Sequence, residues 1–503
     1  MKTKKNQLIT VSLAVAMLAA SCSDSFIETA PTGVVSESQY YKTEADAYAG
    51  LVAVYDLMRK ESGGYENMIA MLNAGSDDFF AGGSNYSDST GLHKFDDFSI
   101  SPSSIPGSFW GDYFQGIYRA NLLLSKLPSI EMDANKKARF TAEVKALRAY
   151  SYFQLILMFK NIPLITEPVA PEQFYNIMQV DRAAVWAQIE ADLTAAVTEQ
   201  NVPNMVDLAT EAGRLSKGAM KAILGKVYLE EHKNSEAAAM FADVNGTPGQ
   251  TSQYGYHLLA NYNDLWIIDN KYNTESILES AHTQRGNSTW GNWGSSSDEG
   301  NTLNVMVGPR GYSSTGGPLY ESGWSVNTVT PSLYNAMQGD PRFGATIADL
   351  AALVAAGQAT YSPGDQNTGY FLKKFMPTHA DISNGAGDQV LNYRQNTYTI
   401  RLADTYLLEA EALGGTGARA QALLDAVRAR VGLPSIPVSS DAVLNERRLE
   451  LAGEGHRFRD LVRTGRAATV LGPLGFRQGK NEFFPVPLNE LTNTKIVQDP
   501  AYN

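Results

Sequence analysis

The residue order predicts a mainly α-helical protein: a scaffold of tetratricopeptide-like helix pairs with an inserted loop-rich ligand-binding subdomain. Three observations carry that expectation. Apolar residues recur at three- and four-residue spacing in successive segments. Some of these segments place small residues where two helices must approach closely. Between about Gln250 and Thr397 the helical period breaks, and Gly, Asn, Ser and Thr, the residues of turns, take over.

The helical segments follow in order. Glu44 to Lys60 repeats Ala47, Leu51, Val54 and Met58. Tyr113 to Leu127 repeats Ile117, Leu123 and Leu127, and Asn135 to Phe159 repeats Phe140, Val144, Leu147, Leu155 and Phe159. Arg182 to Glu199, Ser216 to Glu231 and Ser235 to Asp243 come next. Gly218, Ala219 and Ala222 supply small residues to the second of these. After the irregular middle come Thr399 to Leu413, Gly417 to Arg430, Ala442 to Ala452 and His456 to Thr464. This divides the chain into a helical scaffold with N-terminal binding loops at 44–249, a loop-rich subdomain at 250–397, and C-terminal helical repeats and a tail at 398–503. No fixed repeat period is demonstrable.

The chain begins with a different signal. Lys2, Lys4 and Lys5 precede an apolar run from Leu8 to Ala20, too short for an ordinary membrane span. Cys22 follows and is the only cysteine of the chain, so it has no internal disulfide partner. A solitary cysteine at the end of a signal-peptide core looks like a lipidation site, with residues 1–21 removed and 22–43 left as a tether. Losing 1–21 takes away three lysines and no acids, moving the formal charge from −12 to −15. An acidic chain without basic clusters argues against nucleic acid and anionic lipid as partners; membrane attachment would rest on the lipid.

No motif for common enzyme chemistry appears. His-Glu-x-x-His, a Walker loop, a Gly-x-Ser-x-Gly elbow and Cys-x-x-Cys are all missing. Gly415 to Ala420 fits the loose dinucleotide pattern, but it joins two helical segments where that site needs a preceding strand. Glycoside hydrolysis needs two carboxylates. Asp77-Asp78 and Asp96-Asp97 are adjacent pairs, whose side chains point to opposite faces of a strand, so neither is a couple by itself. Asp381, Asn384 and Asp388 offer oxygens for calcium without the EF-hand spacing, and a solvated loop is the simpler expectation. No cofactor and no metal are expected.

The aromatic loops are the best functional signal. A sugar presents an apolar C–H face and a rim of hydroxyls. A flat ring covers the face, and directional polar groups meet the rim. Residues 286–334 hold Trp290, Trp293 and Trp324, three of the chain's six tryptophans, with only Asp298, Glu299, Arg310 and Glu321 charged. Gly82 to Asp88 is a glycine-rich loop carrying Asn85 and Tyr86. The competing expectation is that these rings plug the core of the subdomain. Trp110, Trp186 and Trp266 lie in or beside helical patterns and are expected in the core.

Leu444 to Gly465 is dense in alternating charge: Glu446, Glu450 and Glu454 recur every fourth residue, and Arg457, Asp460 and Arg463 every third. Taken alone it reads as a helix hairpin braced by ion pairs. It also resembles the C-terminal signature of the SusD/RagB family of outer-membrane nutrient-binding lipoproteins. Trp110 to Asn121, Ala142 to Phe153 with the turn Asn161 to Leu164, Ile400 to Glu411, Phe484 to Pro487 and Gln498 to Tyr502 resemble further family segments, in the family's order. The resemblance implies a non-enzymatic lipoprotein, anchored through Cys22 and exposed on the cell outer membrane. It would bind an oligosaccharide and deliver it to a partner TonB-dependent barrel. It further implies that the hairpin is scaffold, that Trp324, standing before Thr330-Pro331, is a ligand-stacking tryptophan, and that Asp77 and Tyr86 match an early acidic residue and a loop aromatic of the binding site. A surface glycoside hydrolase, a tetratricopeptide adaptor for protein only, and a peptide-binding lipoprotein are the alternatives.

Overall fold

The computed structural model describes residues 41–88, 90–293 and 299–503. The expected leader, Cys22 and nearly all of the tether lie outside them. Thr43 opens helix α1 (Glu44–Tyr55) with a capping box, its hydroxyl accepting from Asp46 N–H while Asp46 accepts from Thr43 N–H. The chain then tightens into a 3-10 turn, Asp56–Glu61. Two helices follow that the periodicity does not predict, α2 (Met68–Ala74) and α3 (Thr90–Asp96). Every residue of α2 is buried, so it has no polar face to mark a period.

The expected scaffold helices are all present as α4 (Ser108–Lys126), α5 (Ala134–Met158), α6 (Arg182–Thr198), α7 (Lys217–Glu230) and α8 (Asn234–Asn245). Asp133, Asp181 and Ser216 cap α5, α6 and α7. Each helix packs on the next, from α4 on α5 through α7 on α8. At the last step a Cβ on Gly225 would lie 2.8 Å from the Phe241 ring, so the small residue is what lets α8 close on α7.

After α8 ends at Asn245 the chain leaves the scaffold, and its next scaffold helix begins at Leu402. Strand β1 (Ser276–Ser280) leads into the irregular middle, and β2 (Thr397–Arg401) leads out; they pair antiparallel, Leu278 opposite Ile400. The helix expected from Thr399 therefore starts later, as α9 (Leu402–Ala412). Thr397-Tyr-Thr-Ile-Arg401 is β-branched and aromatic, and pairing with β1 overrides the helical period that continues from it. Because the two strands bring the excursion's ends together, α9 packs directly on α8. Then α10 (Gly417–Arg430) follows a turn in which Gly414, Gly415 and Gly417 all have positive φ, the helix–helix junction expected there. Helices α11 (Ser440–Glu450) and α12 (Arg457–Arg463) come next, and two short helices, Ala467–Leu471 and Leu488–Leu491, precede the C-terminal residues.

The charged stretch around α11 and α12 is structural, but its partners differ from the expectation. Arg447–Asp460 at 2.9 Å and Arg463–Asp460 at 2.7 Å are the pairs within the hairpin. Helix α11 ends at Glu450, so Glu454 lies in the turn. Glu446, Glu450 and Glu454 face elsewhere. Glu450 takes Arg342 at 2.8 Å, Arg401 at 2.6 Å and also Arg430. Arg401 reaches Glu275 at 3.0 Å and Glu454 at 2.8 Å, and Lys374 reaches Glu454 at 2.8 Å. Arg342 and Glu450 are fully buried. Burial raises the Glu450 carboxyl, but Arg430, Arg401 and Arg342 outweigh it and hold it well below the usual carboxylate range. The network joins α10, α11 and β2 to Arg342 and Lys374 of the irregular middle.

Glu450→Ala should leave three guanidinium groups short of a buried counter-charge. The expected cost is about 3–5 kcal/mol, read as a fall in the denaturant midpoint of the purified protein; an unchanged midpoint would contradict this role.

Candidate functional site

Two segments distant in sequence are laced together. Phe79 bridges Val329 and Gly82 bridges Val326, both antiparallel. Phe80 N–H donates to Thr328 O at 2.9 Å, Asn327 N–H to Ala81 O at 3.1 Å and Gly83 N–H to Ser325 O at 2.9 Å. Gly82 has φ of 72°, and a Cβ there would sit 2.2 Å from Ser325 O. The other edge of the same segment is also held. Trp324 N–H donates to Val305 O at 3.0 Å and Val326 N–H to Met306 O at 2.8 Å. Gly323 lies against Val305 and Gly308 too closely for any side chain. Ser325 and Asn327 both carry positive φ, at 59° and 53°. Such backbone persists only where its surroundings impose it. The segment carrying Trp324 is thus rigid on both sides.

Trp324 is half-buried, and three more rings gather on it. Ring centroids lie 5.6 Å away for Trp293, 6.1 Å for Trp290 and 6.0 Å for Tyr65. Trp293 stands nearly edge-on to Trp324, at 72°, whereas Trp290 is tilted from it by only 35°. Trp290 is 55% exposed. Its backbone N–H donates to Asp388 at 2.9 Å, and the Trp293 indole N–H donates to Thr302 at 3.3 Å. These four rings, with Asp88, Arg310 and Val326, line an open cleft of about 380 Å³. Ligand clefts fall in the range of roughly 300–1,000 Å³.

The polar edge is set by the Gly82–Asp88 loop. Asn85 Oδ1 accepts from Ser87 N–H at 2.9 Å and Asp88 N–H at 3.2 Å, an Asx turn. Asp88 Oδ2 accepts from Ser84 N–H at 3.0 Å and faces the Arg310 guanidinium at 3.6 Å. Tyr65 donates its hydroxyl to Asp88 O at 3.2 Å. Aromatic faces beside a hydrogen-bonding pair can take a ligand that is apolar on its faces and hydroxylated at its rim.

Of the residues expected at the site, Trp290, Trp293 and Trp324 are brought together. Asn85 shapes the loop from outside the cleft. Tyr86 is 45% exposed but stacks on His93, centroids 4.6 Å apart, and does not line the cleft. Asp77 stands elsewhere. Its carboxylate is held by Arg457, at 2.8 and 3.0 Å, and by Arg448 at 3.3 Å, where it ties α12 to the segment before Pro331 and does not line the cleft. The other acids considered are occupied in the same way: Asp78 by Arg448, Asp96 by Gln366 and Ala81 N–H, and Asp97 by Ser99. Asp381, Asn384 and Asp388 bond separately to Thr378, Gln284 and Trp290. The cleft is also lined by Tyr65, Asp88 and Arg310, which are not singled out as site residues by sequence. Arg310 was visible as one of few charges between 286 and 334; Tyr65 carries no sequence signal, because only folding places it at the cleft.

Residues 274–502 match the SusD family, and residues 37–229 match a family described as starch-binding and associating with the outer membrane. A solved structure titled "Laminarin binding SusD-like protein" is 60% identical, covers 92% of this chain and 100% of its own, and superposes with a TM-score of 0.90. This chain belongs to the SusD family. Among other members, a SusD-like protein of Bacteroides ovatus is 26% identical over 495 residues, 91% of this chain and 82% of its own. The surface glycan-binding protein A of Bacteroides fluxus is 26% identical with a TM-score of 0.81, covering 92% of this chain and 100% of its own. The mainly helical, tetratricopeptide-like architecture of this SusD-family protein agrees with the expectation from sequence.

Gly82→Ala should strain a left-handed residue by about 1–2 kcal/mol and push its Cβ into the Ser325 carbonyl. The expected result is a lower melting temperature with altered near-ultraviolet circular dichroism from the tryptophan cluster. An unchanged spectrum would mean that the lacing does not position Trp324.

Proposed function

We propose that this protein is a non-enzymatic surface lipoprotein of the outer membrane that binds an oligosaccharide in the cleft of Tyr65, Trp290, Trp293 and Trp324, and delivers it to a partner TonB-dependent barrel. In this reading residues 44–249 and 398–503 serve as scaffold, and 250–397 bring most of the rings. The observation that carries the binding site is the aromatic wall itself. Trp324 and Trp290 offer ring faces, and Asp88 and Arg310 supply directional donors and acceptors for hydroxyls. Laminarin is the first ligand to test, because the 60% identical structure is named for binding it. The engagement of Asp77, Asp78, Asp96 and Asp97 by structural partners supports binding over hydrolysis.

Calorimetry with laminarin and the full-length chain in detergent tests this. Binding is expected, with no new reducing ends on prolonged incubation. Trp290→Ala removes a mostly exposed ring, so the melting temperature should hold while affinity falls. Loss of an aromatic anchor of about 2 kcal/mol corresponds to roughly thirtyfold. Trp324→Ala should do at least as much, with some loss of stability because that ring is half-buried. Normal laminarin affinity in both variants would remove the cleft from consideration.

Anchoring is proposed at Cys22. Cys22→Ala should leave the chain unacylated and shift it out of the membrane fraction; an unchanged distribution, with no lipid mass on the wild-type N-terminus, would refute it. Delivery to a barrel predicts that a TonB-dependent transporter is recovered with the detergent-solubilised protein.

A further inference from the structure

Every charged side chain found along the cleft among the described residues belongs to one pair, Asp88 and Arg310. The geometry of that pair is unusual for an ion pair with a structural job. The closest approach is 3.6 Å, longer than a hydrogen bond, and the two side chains are 45% and 36% exposed. An exposed pair at this distance contributes little to stability. The structural pairs described above are closer, as at Arg457 on Asp77 at 2.8 Å or Arg401 on Glu450 at 2.6 Å.

The backbone holds both members in place independently of each other. Arg310 N–H donates to Ser325 Oγ at 3.0 Å, and Arg310 O accepts from Ser362 N–H at 2.8 Å. Asp88 is set by the Asn85 turn and by Ser84 N–H. Neither charge needs the other to stay at the rim. Their juxtaposition leaves donors and an acceptor facing the cleft with no net charge.

We infer that Asp88 is a specificity-determining residue that cancels Arg310 and so restricts the cleft to uncharged glycans, excluding sulfated and uronate-bearing ones. This deepens the reading of the cleft as a glycan site and rests on it. A lone guanidinium beside aromatic faces would attract a sulfate or carboxylate, which it meets with two parallel N–H donors. With Asp88 opposite, an anionic substituent that reaches Arg310 also meets a carboxylate, and like charge is a repulsive element against the wrong ligand. The formal charge of the chain, −12, works in the same direction at longer range. Arg310 remains able to donate to neutral hydroxyls.

The test compares laminarin with sulfated laminarin on the full-length protein in detergent, by calorimetry at low salt. The wild-type protein is expected to bind the sulfated polymer at least about tenfold more weakly. Asp88→Asn keeps an oxygen for Ser84 N–H and removes the charge. It should narrow the ratio of the two affinities by about tenfold, and raising the salt concentration should reverse that gain. The double variant Asp88→Asn, Arg310→Gln has no cation at the rim and should discriminate like the wild type. If Asp88→Asn does not fold, Asp88→Ser carries the same comparison. Equal wild-type affinities for the two polymers, or a ratio that Asp88→Asn leaves unchanged, would overturn the inference while leaving the glycan site standing. No wild-type binding of laminarin at all would overturn the glycan reading, and this inference with it.

Discussion

The buried carboxylate of Glu450 is the point on which this structure turns. Three guanidinium groups from three places in the chain converge on it: Arg342 from the irregular middle, Arg401 from the strand that leads out of it, and Arg430 from a scaffold helix. Taking such charges out of water is costly, and only close, mutual pairing recovers the cost. The arrangement therefore has one satisfied geometry. A long excursion of Gly- and Asn-rich chain, with little regular structure of its own, is held against the helices by charges that have nowhere else to go.

That anchoring extends toward the cleft. Arg448 and Arg457, next to the same network, take Asp78 and Asp77. Thr330 then bonds back to both residues, its N–H to Asp78 O at 2.9 Å and its hydroxyl to Asp77 O at 2.9 Å. From there the segments 79–83 and 325–329 run together antiparallel, so that Trp324 and the Asp88 loop emerge at the same end. A ligand site made of loops gains precision from such support, since the entropy of ordering the rings is spent in folding and not at binding. Asp77 contributes by building the platform beneath the cleft rather than by lining it.

The scaffold was legible because amphipathic helices advertise themselves. Helix α10 spans the expected residues, Gly417–Arg430, and the ends of α5 and α6 fall within one residue of expectation. Legibility failed where burial erased the pattern, as in α2, or where a distant partner captured a segment, as when β1 drew Thr397–Arg401 into a strand. The Glu446–Glu450–Glu454 spacing marked a charged face correctly but not its partners, because Arg342 and Arg401 are more than forty residues away in the chain and no local period connects them.

By itself the sequence determined the helical scaffold, the turn-rich composition of the excursion and its concentration of three tryptophans, since periodicity, turn composition and ring content are local properties. Only the tertiary structure decided which polar groups accompany those rings. Tyr65, Asp88 and Arg310 come from three separate loops, and the acid that looked right in sequence, Asp77, is consumed by Arg457. The physical reason is that a carboxylate's role depends on which cation reaches it first. That competition is settled by burial and by long-range backbone pairing, neither of which is written in the neighbouring residues.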